Sequence, residues 1–207
     1  MTEQRPRLCA TIMGETPDAI RTRALRCDAE MIELRLDGAG RVDPASLVAD
    51  LPAPAIVTCR RSAEGGRFDG SEEERLRILR AAVRSTAAYV DLEWRSPAES
   101  LVDARAGRGI VLSHHEFAGM PRDLETRVAA MASTNAEIVK VAVAVERLSD
   151  CLRLKALAER YAGRNLLLIG MGDAGLATRV LAARFGAPWT YAGEGAAPGQ
   201  VSVERMR

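Results

Sequence analysis

The chain has 207 residues, of which 47% are hydrophobic and 28% are charged, and its formal net charge is +1. This composition predicts one globular domain over residues 1–207, and the nearly neutral charge gives no reason to expect nucleic-acid or anionic membrane partners. No stretch approaches the roughly 20 apolar residues that span a bilayer, and the four cysteines lack metal-binding spacing. We therefore expect a cytoplasmic protein with reduced cysteines and no bound metal.

Short runs of β-branched and other apolar residues alternate with helix-like segments along the whole chain. In the helix-like segment 71–87, Ser71 and Glu74 have the spacing of a capping box. Eight strand–helix units of about 26 residues each predict a compact (β/α)8 barrel. A doubly wound open sheet is the alternative, although no GxGxxG sequence follows the first strand. The predicted strands cover residues 8–13, 30–36, 55–60, 89–94, 109–115, 137–143, 165–171 and 188–193.

Polar side chains collect towards the carboxyl ends of these predicted strands. Residues i and i+2 of a strand share a face, so the polar residues of each strand lie opposite its apolar ones. In a barrel the apolar face packs under the helices and the polar face points into the interior, at the end where barrel enzymes carry their chemistry. The interior set would comprise Glu33, Arg35, Asp37, Thr58, Arg60, Asp91, Glu93, Ser113 and His115.

Lys140 lies in the middle of the apolar run "EIVKVAV", although only two of the 29 basic residues are lysines. The other, Lys155, falls on a predicted surface helix. Arginine remains protonated near neutral pH, whereas a lysine in a desolvated site can lose its proton and attack a carbonyl group to form a Schiff base. We hypothesise that Lys140 does so. The alternative is a buried ion pair with Glu33, Asp91 or Glu93.

The chain contains two histidines, His114 and His115, which are adjacent in the segment "SHHEF". Strand alternation points His115 into the barrel and His114 outwards, under a helix. His115 is therefore the candidate general acid and base, a role typically worth about 10²–10⁴-fold in rate. Glu64, after the third strand, could orient His115, or it could be an ordinary loop carboxylate.

Seven segments now resemble those of one family, the type I 3-dehydroquinate dehydratases. The lysine strand, "SHHEF" and "APGQ" are the most specific. The resemblance implies a (β/α)8 barrel and a carbon–oxygen lyase that converts 3-dehydroquinate into 3-dehydroshikimate in the shikimate pathway of aromatic amino acid biosynthesis. It also implies no metal or organic cofactor, and a homodimer. The segments, in the order of the family, are "ELRLD", "TCRRSAEGG", "VDLE", "SHHEF", "EIVKVAV", "MGDAGLATR" and "TYAGEGAAPGQ".

The resemblance also implies a role for individual residues. Lys140 matches the lysine that forms the Schiff base, His115 the general acid and base, and Glu64 the carboxylate beside that histidine. Arg179 matches the main clamp on the substrate carboxylate, and nearby arginines would help to keep Lys140 uncharged. The other matched substrate-binding positions are Glu33, Arg35, Arg60 and Gln200, with Met171 and Tyr191 as apolar walls.

Residues of about 192–200 match a lid loop that closes over the substrate, or they form a glycine-rich turn. Ala196 stands in this loop where the family often has serine, so one hydroxyl contact to the substrate would be absent. In the implied reaction Lys140 attacks the ring ketone, and His115 moves a proton so that the resulting enamine expels a hydroxyl group. Two rival interpretations are a class I aldolase, which would share the lysine, and a relative that binds the ligand without turnover.

Overall fold

Eight parallel strands form a nearly closed barrel. The computed structural model describes residues 5–193, 195 and 197–207. The hydrogen-bonded order is β7-β6-β5-β4-β3-β2-β1-β8, and each neighbouring pair is parallel. This arrangement confirms the (β/α)8 barrel and excludes the doubly wound sheet. The strands are β1 (Arg7–Met13), β2 (Met31–Arg35), β3 (Ala55–Thr58), β4 (Tyr89–Glu93), β5 (Ile110–Glu116), β6 (Ile138–Ala144), β7 (Leu166–Met171) and β8 (Trp189–Ala192).

Helices cover the outside of the barrel. The predicted capping box is present at the start of α3, where the Ser71 Oγ accepts from the Glu74 amide at 3.2 Å and the Glu74 carboxylate accepts from the Ser71 amide at 2.9 Å. Within the described ranges, no helix has the length and apolar character needed to cross a membrane. The α-helices are α1 (Pro17–Leu25), α2 (Pro44–Val48), α3 (Glu72–Arg84), α4 (Leu124–Ala132), α5 (Asp150–Arg160), α6 (Leu176–Val180) and α7 (Val203–Met206).

In the part of the chain that the structure describes, four short segments adopt the tighter 3-10 geometry. One of them, Pro97–Arg105, follows β4 in the place of an α-helix. The helix α3 ends at Arg84, before the predicted end at residue 87, because Ser85 has an extended backbone. The other 3-10 segments are Ser62–Glu64, Asp173–Gly175 and Ala182–Phe185.

The apolar core has two layers, separated by the wall of the barrel. On β6, Val139 and Val141 belong to the outer layer between strands and helices, while Ile138 and Ala142 belong to the inner layer. Lys140 alternates with the valines and so points into the barrel, as strand periodicity predicts. The barrel therefore directs one polar residue after another towards the same interior space at its carboxyl end.

Candidate active site

A cavity opens at the carboxyl ends of the strands. Including its open mouth, it has a volume of about 560 Å³. The structure places all the predicted site residues on its lining except Ala196, which lies outside the described residues. Their individual roles stay predictions. The remaining lining residues are Gly65, Phe117, Ala142, Ile169, Ala197 and Pro198.

Lys140 reaches this cavity while it also contacts two carboxylates. Its side chain comes from the middle of β6, and the residue is only 5% exposed. The Nζ lies 3.2 Å from the Asp91 Oδ2 and 3.6 Å from the Glu33 Oε1. It also lies 4.4 Å from the centre of the Tyr191 ring. The ion pair and the reactive amine were alternatives in the sequence. The structure shows the ion pair and also places the amine on the cavity lining, and the reactive role stays a prediction.

Asp91 connects Lys140 to a second buried cation. Its Oδ1 accepts from the Ser113 Oγ at 2.6 Å and from the Arg60 Nη2 at 2.9 Å. Burial acts to raise the pKa of Asp91, but the Arg60 and Lys140 charges and the Ser113 hydrogen bond lower it to about 2. Asp91 therefore remains ionised at neutral pH and anchors the lysine side chain.

His115 is a mostly buried, neutral base, and its side chain is 11% exposed. Its Nδ1 lies 3.1 Å from the Glu64 Oε2, and its backbone amide donates to the same oxygen at 3.1 Å. Burial, followed by the charges of Arg60 and Lys140, lowers the pKa of His115 well below 6.5. When the Nδ1 proton is directed at Glu64, the Nε2 lone pair is the basic atom.

The Glu64 carboxyl is tuned by its own surroundings. It lies at the end of the 3-10 segment after β3, where burial raises its pKa, in opposition to the charges of Arg60 and Arg61.

His114 faces outwards as predicted. Its Nε2 lies 2.9 Å from the Arg127 Nη1 on α4, and its ring packs edge-on against Trp94.

The arginines of the cavity differ in how their charges are matched. Arg35 donates two hydrogen bonds to Asp37, at 2.8 and 2.9 Å, and Arg60 is paired with Asp91. The expected influence of these arginines on the protonation of Lys140 stays untested, because each is itself paired with a carboxylate.

Arg179, unlike Arg35 and Arg60, is not paired with a carboxylate of the described residues. It is 3% exposed, and within the described part of the chain its guanidinium has no hydrogen bond or ion pair. Burial lowers the pKa of Arg179 to about 10, because the charges of Tyr191 and Glu33 offset the lost hydration only in part. A buried guanidinium in this condition is suited to an incoming anion, which it can hold with two parallel hydrogen bonds.

The described part of the loop after β8 crosses the mouth of the cavity. The Gly172 amide after β7 donates to the Pro198 carbonyl at 3.2 Å, and the Gly193 amide donates to the Val201 carbonyl at 2.9 Å. A Cβ at Gly199 would overlap the Gly172 backbone, and Gly199 has a φ of +75°. This close approach requires glycine, and it holds Gln200 at the cavity wall.

Sequence reasoning gave no role to two residues that the structure connects with the site. Phe117, in the segment "SHHEF", packs on Gly65 at the cavity mouth. Arg75 is fully buried on α3. A signal for Arg75 was present, because it stands at the helical spacing of Ile78, Leu79 and the other buried residues of this helix.

The fold and the cavity define a barrel enzyme that combines an interior amine, a neutral imidazole and a buried guanidinium with no partner among the described residues. The family model described as type I 3-dehydroquinase matches residues 8–207. A 3-dehydroquinate dehydratase from Methanothermobacter thermautotrophicus is 38% identical, over 97% of this chain and 94% of the relative. Another, from Desulfotalea psychrophila, is 33% identical over 97% of this chain and 95% of the relative.

Solved structures agree with these relatives. The crystal structure of 3-dehydroquinate dehydratase from Geobacillus kaustophilus is 29% identical, with a TM-score of 0.84 over 99% of this chain and 89% of that one. The chain therefore belongs to the type I 3-dehydroquinase family. The predicted family and its dehydratase activity are confirmed.

Proposed function

We propose that Lys140, His115 and Arg179 dehydrate 3-dehydroquinate to 3-dehydroshikimate through an imine on Lys140, as a step of the shikimate pathway. One observation carries this assignment of roles. The same cavity is lined by a buried amine, by a neutral imidazole beside a carboxylate, and by a buried guanidinium with no partner among the described residues. These groups match the ketone, the acidic carbon–hydrogen bond and the carboxylate of such a substrate.

The reaction begins when Lys140 gives a proton to solvent and its uncharged amine adds to the ring ketone. A proton from solvent then lets the ketone oxygen leave as water, and an iminium ion remains. The iminium acidifies the adjacent carbon, and the His115 Nε2 removes a proton from it, which produces an enamine. The enamine then expels the hydroxyl group two carbons from the former carbonyl, and His115 returns its proton so that water leaves. Hydrolysis of the conjugated iminium releases the enone product and restores Lys140.

The remaining lining residues would bind the other groups of the substrate and fix its position in the cavity. Arg179 would grip the carboxylate, since its charge is available in the free protein. Glu33, Arg35, Arg60 and Gln200 would bind the ring hydroxyl groups. Met171 and Tyr191 would form the apolar walls, and residues of about 192–200 would act as the lid.

We further propose that two copies of this chain associate in the cytoplasm. Exposed apolar side chains lie on α5, at Leu152, and just beyond α6, at Leu181, and both helices flank β7. An apolar surface of this kind is suited to a homodimer interface. All four cysteines are free, which suits a reducing compartment.

Borohydride reduction tests the central step, because it converts an imine into a stable amine. Treatment with borohydride in the presence of 3-dehydroquinate should add the mass of the reduced ligand to the peptide that contains Lys140. Lys155 is the other lysine of the chain and provides a matched control: Lys155→Arg should be trapped normally, while Lys140→Met should not be trapped.

A parallel assay separates the rival functions. Turnover should produce an enone that absorbs in the near ultraviolet, and aldol substrates should give no reaction. An unchanged mass after borohydride would contradict the imine. A trapped imine without turnover would instead identify a protein that binds the ligand and does not transform it.

A further inference from the structure

Arg75 crosses from the outer helix layer to the rim of the barrel. It is 0% exposed, although it carries a full charge and does not line the cavity. Its Nε and Nη2 each donate to Glu72 at 2.7 Å. Its Nη1 donates to the Cys59 carbonyl at 3.0 Å and to the Glu93 Oε2 at 2.5 Å. This side chain thus connects α3 to the carboxyl ends of β3 and β4.

Hydrogen bonds continue from Glu93 to the catalytic histidine. The second oxygen of Glu93 accepts from the Arg61 amide at 2.9 Å. The Arg61 Nη2 donates to the Glu64 Oε1 at 2.8 Å, and the Glu64 Oε2 lies 3.1 Å from the His115 Nδ1. An unbroken series of contacts therefore runs from Arg75 to His115.

The buried carboxylate of Glu93 makes the hydrogen bonds between Arg75 and His115 depend on the positive charge of Arg75. It is 1% exposed, and an unpaired buried carboxylate is strongly unfavourable. The nearest alternative cation is Arg60, whose Nη1 lies 3.8 Å from Glu93 but which now binds Ser113 and Asp91. Without Arg75, Glu93 would attract Arg60 away from Asp91.

We propose that Arg75 is a positioning residue for catalysis, which fixes the orientation of His115 through Glu93, Arg61 and Glu64. It neutralises Glu93, so that this carboxylate holds the Arg61 backbone and leaves Arg60 to Asp91. The inference rests on the proposed function in one respect, the assignment of His115 as the base.

The variant Arg75→Lys tests this role, because lysine lacks the planar fork that holds positive charge against Glu93 while it also serves Glu72 and the Cys59 carbonyl. We expect kcat to fall about tenfold with little change in KM, and the acid limb of the pH profile to move. Borohydride trapping of the imine should persist. Arg105→Lys is the matched control, since Arg105 also ties down α3 but donates only to backbone carbonyls near its far end. It should lower Tm and leave kcat and the pH profile unchanged.

A second variant and a second measurement keep the test decisive. Glu93→Gln keeps the shape of the side chain but replaces the carboxylate that accepts from both Arg75 and the Arg61 amide, so kcat should also fall in this variant, even if Arg75→Lys does not fold. In the resting protein, the proton NMR signal of the His115 Nδ1–H should shift in both variants and stay in place in Arg105→Lys. The signal reports orientation without substrate, so it remains informative if the wild-type protein fails to turn over 3-dehydroquinate, which would count against the proposed function alone. Variants that lose Tm but keep the wild-type kcat, pH profile and Nδ1–H signal would overturn the role of Arg75.

Discussion

Replacing Arg179 by methionine should make the free protein more stable. The guanidinium is buried without a partner among the described residues, and burial lowers its pKa from 12.5 to about 10. At about 1.4 kcal/mol per pKa unit, this burial costs roughly 3 kcal/mol. The folded pKa is depressed, so the cost is present while Arg179 is protonated, at any pH below about 10. Arg179→Met removes it at pH 7, and each kcal/mol is worth about 2–4 °C in a chain of this size.

The same substitution should impair substrate binding. Loss of one partner of a buried, hydrogen-bonded charge pair costs about 2–5 kcal/mol. With a factor of ten for each 1.4 kcal/mol, roughly, KM for 3-dehydroquinate should rise by at least about 30-fold. Stability and substrate affinity change in opposite directions because the substrate carboxylate supplies a counter-ion that no described residue supplies in the free protein.

Thermal unfolding and steady-state kinetics measure the two effects on the same preparations. Arg184→Met is a suitable control, because Arg184 is exposed and lies five residues further along the chain. It should change Tm and KM little. A lower Tm for Arg179→Met together with an unchanged KM would refute the argument that this guanidinium is held in reserve for an anion.

Four further predictions concern the base and the loop beside it. His115→Ala should still allow borohydride trapping on Lys140 but reduce kcat by about 10²–10⁴-fold, and a nearly normal rate would mean that another group is the base. Because burial, with the Arg60 and Lys140 charges, depresses the pKa of His115, the acid limb of kcat/KM for the free enzyme should have its midpoint well below pH 6.5; a midpoint at or above pH 6.5 would contradict this. Folding stability should also decrease as the pH falls below about 6.5, where the unfolded histidine takes up a proton, and His115→Gln should remove that part of the slope in a denaturant titration. Gly66→Ala should lower both Tm and kcat, because the added Cβ would overlap the Arg60 carbonyl and displace the segment that carries Glu64; wild-type values would show that the segment adapts.

Most of the barrel interior could be predicted because the alternation of side chains along a strand is a local property. Lys140 and His115 were assigned to the interior on this basis, and both line the cavity. Loop residues were harder to place. Before the resemblance, Glu64 was either a carboxylate that could orient His115 or an ordinary loop carboxylate, because no periodicity relates a loop after β3 to a histidine on β5.

Contacts between residues on different helices and strands could not be predicted from this alternation. Asp91 was one of three carboxylates that could have paired with Lys140, and the structure places it at 3.2 Å. Arg75 showed the spacing of a core residue, but its partner Glu93 lies on another element. Such pairs depend on how far each helix and strand is shifted against its neighbour, which the spacing within one segment does not encode.

The amino-acid sequence by itself determined the period of the strands, the inward direction of the polar residues and the family to which the chain belongs. Only the tertiary structure decided which charges are matched: Lys140 against Asp91, Arg75 against Glu93, and Arg179 against no described residue. The physical reason is that electrostatic energy depends on distances and burial across the closed barrel, and those quantities exist only after the strands have met.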